Sequence, residues 1–282
     1  MTLLLSSYQA LALLAAKAKG KDKALSTADL GCSKAWPALS EEGVTFEGYA
    51  EVPWHTVEFL ARQEQKVFLV EGDMVEAVNV FSETTRWVRS LAATKGAPTV
   101  LVSGKPMHRM KDFDPWEASK ASVKALGPVR GRVLDTATGL GYTAIMEARA
   151  AREVVTIELD PAGIEIARLN PWSKELFTNP KITQVIGDSA EVVAKLPSSH
   201  FEAALHDPPT VPLAGALYGE AFYRDLLRVL MRNGRLFHYC GDPNSGLGAK
   251  VTEGVIKRLA QAGFSTVRRV PEAFGVTAVA KK

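Results

Sequence analysis

Cysteine is scarce in this 282-residue chain: Cys32 and Cys240 lie far apart and belong to no Cys-x-x-Cys or Cys/His array. That argues against a disulfide framework and a zinc site, so no metal is expected and a reducing, cytoplasmic setting is the default. Long apolar runs are missing too. Residues 1–18 are rich in Leu and Ala, yet no positive segment precedes them and Lys17, Lys19, Lys21 and Lys23 come afterwards. This stretch is neither a leader nor of transmembrane length, and no membrane partner is expected. It reads as an amphipathic helix with Leu4, Tyr8, Leu11, Ala12 and Ala15 on its apolar face. Charge of one sign is lacking as well: 34 basic residues against 31 acidic leave +3. That balance argues against a dedicated nucleic-acid coat but leaves a local basic groove open. No repeat or low-complexity tract occurs. What is present, 46% apolar and 23% charged residues, is the composition of an ordinary globular protein long enough to bury a core without staples.

From residue 129 onward strands and helices alternate. Strands are expected at 132–137, 153–158, 181–186, 201–206 and 235–239. Helices are expected at 142–151, 161–169, 189–196, 219–231 and 251–262. The last two strands, 266–270 and 276–280, are too close together for a crossover helix and should form an antiparallel hairpin. The pattern predicts a doubly wound α/β fold with a mostly parallel, seven-stranded sheet. The first half differs, with short β-like runs at 43–47, 66–71, 76–82 and 98–103 and a helix at 53–63. Residues 1–95 therefore read as a smaller mixed α/β accessory domain that selects substrate or dimerises, leaving a homodimer open. Residues 96–282 form the larger domain, led by a β-hairpin linker over 99–110 that turns at Ser103-Gly104-Lys105 and a helix over 115–125. Residues 25–36 superficially suggest a helix-turn-helix, but no basic recognition helix follows and Pro37 intervenes, so DNA reading is not expected.

The informative loop is Asp135-Thr136-Ala137-Thr138-Gly139-Leu140-Gly141-Tyr142-Thr143, between the first strand of the regular part and its helix. Such loops sit at the carboxyl edge of a doubly wound sheet, where ligands bind. Gly139 and Gly141 carry no Cβ and let backbone approach a ligand. Glu158 closes the next strand, placed to accept from a ribose diol, followed by Leu159. Gly187-Asp188-Ser189 follows the third, with a carboxylate able to accept from an adenine amino group. A dinucleotide fingerprint would need a third glycine near 144, where Ala144 and Ile145 stand. An acid beside the loop also suits a cationic ligand better than a pyrophosphate.

In this order the motifs resemble the class I S-adenosylmethionine-dependent methyltransferase superfamily. The resemblance implies a Rossmann-like methyltransferase fold and S-adenosylmethionine as cofactor. It places Asp135, Gly139 and Gly141 around the methionine portion, with Thr136, Tyr142 and Thr143 in the same loop. Glu158 and Leu159 would lie at the ribose, and Gly187, Asp188 and Ser189 near the adenine. Ala137 departs from the glycine usual in the family.

The fourth strand ends in His206-Asp207-Pro208-Pro209-Thr210. Asp207 is expected to face the sulfonium and, with His206, to orient an acceptor and take its proton, while the prolines stiffen the turn. Asp-Pro-Pro resembles the signature of amino-group methyltransferases, although Thr210 stands where an aromatic residue would stack on a base. Residues 213–223, with Tyr218, Phe222 and Tyr223, resemble the segment after the catalytic acid of spermidine synthases, and the hairpin over 102–110 resembles the one ahead of their catalytic domain. Those enzymes carry a second acid where Thr210 stands. As a set, Met107-His108-Arg109, Asp114-Pro115, Thr138–Thr143, Leu169-Asn170-Pro171-Trp172-Ser173 and His206–Pro209 make residues 95–280 most similar to a group of little-characterised, archaeal-type methyltransferases related to spermidine synthases.

Remaining substrate candidates are His108 and Arg109, with Lys111 and Asp112 beside them, able to hold an acidic group; Tyr218; and His238, at the mouth of a Gly-rich loop over 241–248 read as a lid. Trp172 reads as packing at a helix end, and Phe222 and Tyr223 as helix packing. The leading expectation is methyl transfer to an amine nitrogen or an oxygen of a small-molecule acceptor. Aminopropyl transfer from decarboxylated S-adenosylmethionine and a non-catalytic nucleoside-binding subunit are the alternatives.

Overall fold

The computed structural model describes residues 2–110 and 113–281. They form two compact units: residues 1–116 with 165–174, and residues 117–164 with 175–282.

The first unit opens with strand β1 (Leu3–Ser6), not with helix, and α1 (Ser7–Lys17) follows. Ser6 ends the strand and caps the helix: its hydroxyl accepts from Tyr8 N at 3.3 Å while Gln9 Oε1 accepts from Ser6 N at 3.0 Å, a reciprocal capping box. The helix buries Ser7, Ala10, Leu13 and Ala16. The apolar face expected from the sequence is the solvent face, with Tyr8 40% and Leu11 55% exposed. In a run where nearly every position is Leu or Ala, periodicity alone cannot select a stripe. The cap and the anchoring strand select it.

Three small sheets complete this unit. β5 (Val67–Glu71) lies between β1 and β6 (Met74–Ala77), antiparallel to both. The second sheet is β2 (Ala38–Leu39), β3 (Gly43–Thr45) and β4 (Val52–Pro53). β4 leads into α2 (Trp54–Ala61), which buries Trp54, Val57 and Leu60 in one core with Leu3, Leu5 and Leu13. The third sheet runs β10 (Lys105–Pro106), β9 (Thr99–Val102), β8 (Val88–Ala92), β7 (Asn79–Phe81). The single run expected at 76–82 is broken because Val78 changes partners: its N–H donates to Val67 and its carbonyl accepts from Leu91. The β9–β10 turn is two residues, Ser103 and Gly104, both at positive φ, as a tight hairpin requires. No helix forms over residues 25–36. The hairpin, expected at the front of the larger domain, falls within the first unit. So do the second half of the helix at 161–169 and the segment after it: Trp172 Nε1 donates to Leu30 O at 3.0 Å and its ring packs on Trp116 at 5.4 Å.

The second unit is built on the expected seven-stranded sheet, in the order β13-β12-β11-β14-β15-β17-β16. Its strands are β11 (Arg132–Asp135), β12 (Glu153–Glu158), β13 (Ile182–Ile186), β14 (Phe201–His206), β15 (Leu230–Tyr239), β16 (Ser265–Val270) and β17 (Gly275–Ala280). The first five are mutually parallel, and β17 lies antiparallel between β15 and β16. Its helices include α3 (Pro115–Leu126), which leads in from the first unit, α4 (Tyr142–Ala148), α5 (Pro161–Leu169), α6 (Lys174–Thr178), α7 (Ser189–Lys195), α8 (Val211–Ala214), α9 (Glu220–Val229) and α10 (Gly246–Ala262). β15 starts five residues earlier than expected. Leu230 pairs with Phe201 and Arg235 with Ala203, so residues 231–234 bulge outward, with Asn233 at φ 61°. The loop read as a lid is shorter than expected, because α10 begins at Gly246 with Ser245 as its cap, the Ser245 hydroxyl accepting from Gly248 N at 3.0 Å. No helix is long and apolar enough to cross a membrane among the described residues.

Candidate active site

The parallel strands deliver one group each to a common edge: Asp135 from β11, Glu158 from β12, Ile186 with Gly187-Asp188 from β13, and His206-Asp207 from β14. Asp135 is fully buried. Its Oδ2 accepts from Thr143 Oγ at 2.7 Å and its Oδ1 from Ala137 N at 3.2 Å. Burial raises its carboxyl to about 7, and the Glu158 charge adds to the rise. Glu158 is held from both sides, Oε2 by Gly139 N at 3.0 Å and Oε1 by Asp160 N at 3.1 Å.

The loop between β11 and α4 is tight. Gly141 N donates to Thr138 O at 2.7 Å, and the Thr138 hydroxyl bonds that of Thr156 at 2.7 Å. Gly139 and Gly141 both have positive φ, 51° and 76°. A Cβ on Gly139 would meet open space, whereas one on Gly141 would lie 2.7 Å from Leu176 Cδ2. Gly139 is therefore the glycine that opens the loop, and Gly141 the one that lets it pack.

Several of the expected site residues make internal bonds. The Ser189 hydroxyl donates to Thr136 O at 2.6 Å, Thr136 N donates to Leu205 O at 3.1 Å, and the Tyr142 side chain is buried. Asp188 stays exposed while its Oδ1 caps α7 through Ala190 N at 2.8 Å. Leu159 and Ile186, large apolar side chains, are 48% and 51% exposed at this edge. Ile186 was not anticipated from sequence. Its signal was an apolar residue immediately ahead of Gly187-Asp188, which reads equally well as strand core.

On the acceptor side His206 is fully buried, and both of its ring nitrogens are bound. Nε2 lies 3.0 Å from the Leu217 carbonyl, an acceptor only, so Nε2 carries the proton. Nδ1 then accepts from the Thr136 hydroxyl at 2.6 Å. Burial pushes the imidazole down to about 3, which keeps it neutral. Asp207, one residue on, is only half-buried. Burial, and secondly the Asp135 charge, raise its carboxyl to about 7. Pro208 is buried and Pro209 exposed. The Pro209 carbonyl accepts from the Tyr218 hydroxyl at 3.1 Å, and the Tyr218 carbonyl from Arg258 Nε at 2.7 Å. His238, fully buried, meets Tyr223 OH at 2.9 Å and packs against the His206 ring at 4.3 Å between centroids. It lies behind the edge and not on it. Phe222 and Tyr223 are buried in the core, as expected of packing residues.

His108 and Arg109 belong to the first unit. His108 Nδ1 bonds the Thr99 hydroxyl at 2.9 Å, with its imidazole lowered to about 4 by burial, and the Arg109 guanidinium sits 4.1 Å from the Phe113 ring centre. Lys111 and Asp112 lie outside the described residues. Among the described residues no His, Cys, Asp and Glu group could hold a metal, and Cys32 and Cys240 are both free.

Comparisons with known proteins agree with this architecture. An uncharacterised protein of Methanocaldococcus jannaschii is 44% identical over 184 residues, 64% of this chain and 64% of that protein. A polyamine aminopropyltransferase of Mycobacterium tuberculosis is 32% identical over 119 residues, 40% of this chain and 23% of that one. The chain thus matches less than two thirds of the length of either relative. Among solved structures, a spermidine synthase in complex with the transition state analogue AdoDATO superposes with a TM-score of 0.59 at 19% identity, covering 74% of this chain and 77% of that one. Spermidine synthase from Thermotoga maritima superposes with 0.57 at 18%, covering 73% and 74%. At those identities the likeness establishes the fold. The guanidinoacetate N-methyltransferase family model matches residues 79–266, well over half of the chain, and the chain belongs to that family.

Proposed function

We propose that the second unit transfers a methyl group from S-adenosylmethionine to a nitrogen or oxygen of a small-molecule acceptor held at Asp207. The observation that carries this reading is the pair of carboxyls at adjacent strand ends, Asp135 and Asp207, both raised to about 7 by burial. Two acids that resist ionisation together are compensated by a cation, and a sulfonium with an ammonium tail supplies one at each end. Glu158, at the end of β12 beside Gly139, fits the ribose hydroxyls, and exposed Leu159 and Ile186 fit the two faces of an adenine whose amino group reaches Asp188.

When bound, S-adenosylmethionine supplies the electrophilic methyl carbon. The chain supplies placement. Asp207, poised near neutrality, takes the acceptor proton as the new bond forms. His206 does not compete for it, because both its nitrogens are occupied; it positions Thr136 and the segment around Leu217. The Pro209–Tyr218 and Tyr218–Arg258 bonds hold that segment beside Asp207.

Aminopropyl transfer is the second reading. The aminopropyltransferase relatives and the fold shared with spermidine synthase favour it, and Thr210, in place of a second acid, weighs against it. Titration calorimetry with S-adenosylmethionine and its decarboxylated form, followed by product analysis with amine acceptors, separates the two. S-adenosylhomocysteine supports methyl transfer; methylthioadenosine overturns it. No binding of either, together with Asp135→Ala and Glu158→Ala that change nothing, overturns both.

A further inference from the structure

The parallel strands of the second unit end at the acids of the candidate site, and they start at a run of cations. β13, β12 and β11 lie side by side, and the chain enters them through Lys181, Arg152 and Arg130. Backbone bonds fix these three in adjacent places: Val154 N donates to Lys181 O at 2.8 Å and Arg152 N to Arg130 O at 3.0 Å. Beyond β14, Arg232 stands in the bulge of β15. Arg235 of β15 reaches the Pro128 carbonyl, so the end of α3, with Lys124 in its last turn, lies here too. Lys124, Arg130, Arg152, Lys181 and Arg232 are all exposed, and among the described residues none of them is in an ion pair. Glu153 and Glu202, on β12 and β14, are already taken by Arg132 at 2.9 Å and Arg235 at 3.9 Å. A cation near a helix's last turn complements the dipole. That accounts for Lys124, and Lys181 lends a donor to Ala148 O at the end of α4 at 3.0 Å. Arg130, Arg152 and Arg232 lie outside any helix. A chain of net charge +3 thus gathers cations at one end of one sheet, where they repel one another unless an anion faces them.

We propose that this end of the second unit is a docking surface for the phosphate backbone of a double-stranded nucleic acid. The strand order sets its span: the steps from β13 to β15, each about 4.8 Å, make about 19 Å. Along that length each strand of a duplex presents a phosphate about every 3.4 Å, and guanidinium forks hold phosphate oxygens in pairs. Among the exposed large apolar residues described, only Met231 lies at the strand starts, so a protein partner finds little to anchor on. The exposed Phe, Tyr and Trp described all belong to the first unit, so the cations lack the stacking platform that a single strand uses. Duplex DNA and duplex RNA share this backbone chemistry. The surface lies at the strand starts, away from Asp135, Glu158 and Asp207 at the strand ends, and does not rest on the methyl-transfer reading.

The test is fluorescence anisotropy of the full chain with labelled DNA and RNA duplexes of about 20 base pairs. Saturable binding is expected for at least one duplex, and the tighter of the two names the source. With a phosphate at each of the cations, affinity should fall with a slope of about −4 in log salt, a few hundredfold between about 50 and 200 mM. Arg130→Gln combined with Arg152→Gln should weaken binding about tenfold or more and reduce the slope by about 2, with the melting temperature unchanged. Lys19→Gln combined with Lys21→Gln, at two exposed cations of the first unit, should change neither. Poly-L-glutamate, the probe for an acidic protein partner, should compete about tenfold less well than unlabelled duplex at equal charge. Should the arginine variant fail to fold, Lys124→Gln combined with Arg232→Gln must weaken binding instead. The proposal is overturned if neither duplex binds saturably at about 50 mM salt, or if the folded arginine or Lys124/Arg232 variant binds undiminished. It is equally overturned if the Lys19/Lys21 variant weakens binding as much, or if poly-L-glutamate competes as well as duplex.

Discussion

Asp207 and Asp135 illustrate how a residue's chemistry is made by its neighbours. An isolated aspartate is ionised near neutral pH, and these two hold their protons to about pH 7. For an acid the sign is clear. Between the ordinary aspartate value near 4 and about 7 the folded state binds more protons than the unfolded chain, so this contribution to stability falls as pH rises through that window. Asp207→Asn removes its share of the cost. Its melting temperature should exceed that of the wild type at pH 8, and the difference should vanish near pH 4; differential scanning fluorimetry at the two pH values checks this. Catalysis has the opposite dependence. The kcat/KM of the wild type should climb through an apparent value near 7, belonging to the Asp135–Asp207 pair, and Asp207→Asn should lower kcat by about a hundredfold. A wild-type rate independent of pH between 5 and 9 would remove Asp207 from the proton transfer.

At the scale of elements, the loop from β11 to α4 and the segment from β14 to α9 do the positioning. The two glycines of the loop separate binding from folding. Gly139→Ala adds a methyl into open space and should cost only the left-handed strain of about 1 kcal/mol while blocking cofactor binding. Gly141→Ala drives its methyl into Leu176 and should cost more stability, by about 1–3 kcal/mol in urea denaturation. Across the gap, His206 is the tie between Thr136 and Leu217. His206→Ala leaves a buried hydroxyl and a buried carbonyl unpaired and should destabilise the fold by about 2–4 kcal/mol. His206→Gln should recover part of that. The pH profile of whichever variant retains activity should keep its apparent value near 7, whereas a shifted profile would make His206 the base.

The two units are not two consecutive pieces of chain. Residues 165–174, which comprise the second half of α5 and the segment after it, count with the first unit, where Trp172 meets Leu30 and Trp116. A fragment starting at residue 117 would lack both of those partners. It should aggregate or show red-shifted Trp172 emission, while Trp172→Phe in the full chain, which loses the bond to Leu30 O and part of the ring packing, should cost about 1–3 kcal/mol. A fragment that folds with native-like emission would show that the segment needs no first unit.

The strand-helix alternation after residue 129, the acids at successive strand ends and the glycine loop were legible because they are local: periodicity of two or 3.6 and a turn requirement are carried by neighbouring residues. The seven-stranded, mostly parallel sheet, the hairpin at its end and the position of Asp135, Glu158 and Asp207 at successive strand ends all followed from that. Nonlocal partners decided the rest. Which stripe of α1 is buried depended on a cap and a strand; whether β6 and β7 are one strand depended on Val78 changing sheets. Likewise both ring nitrogens of His206 are bound by partners eleven and seventy residues away, and Glu147 became a buried carboxyl without a hydrogen-bond partner, which no spacing in the chain announces. Such properties are set by desolvation and by contacts between distant segments, which exist only once the chain has folded.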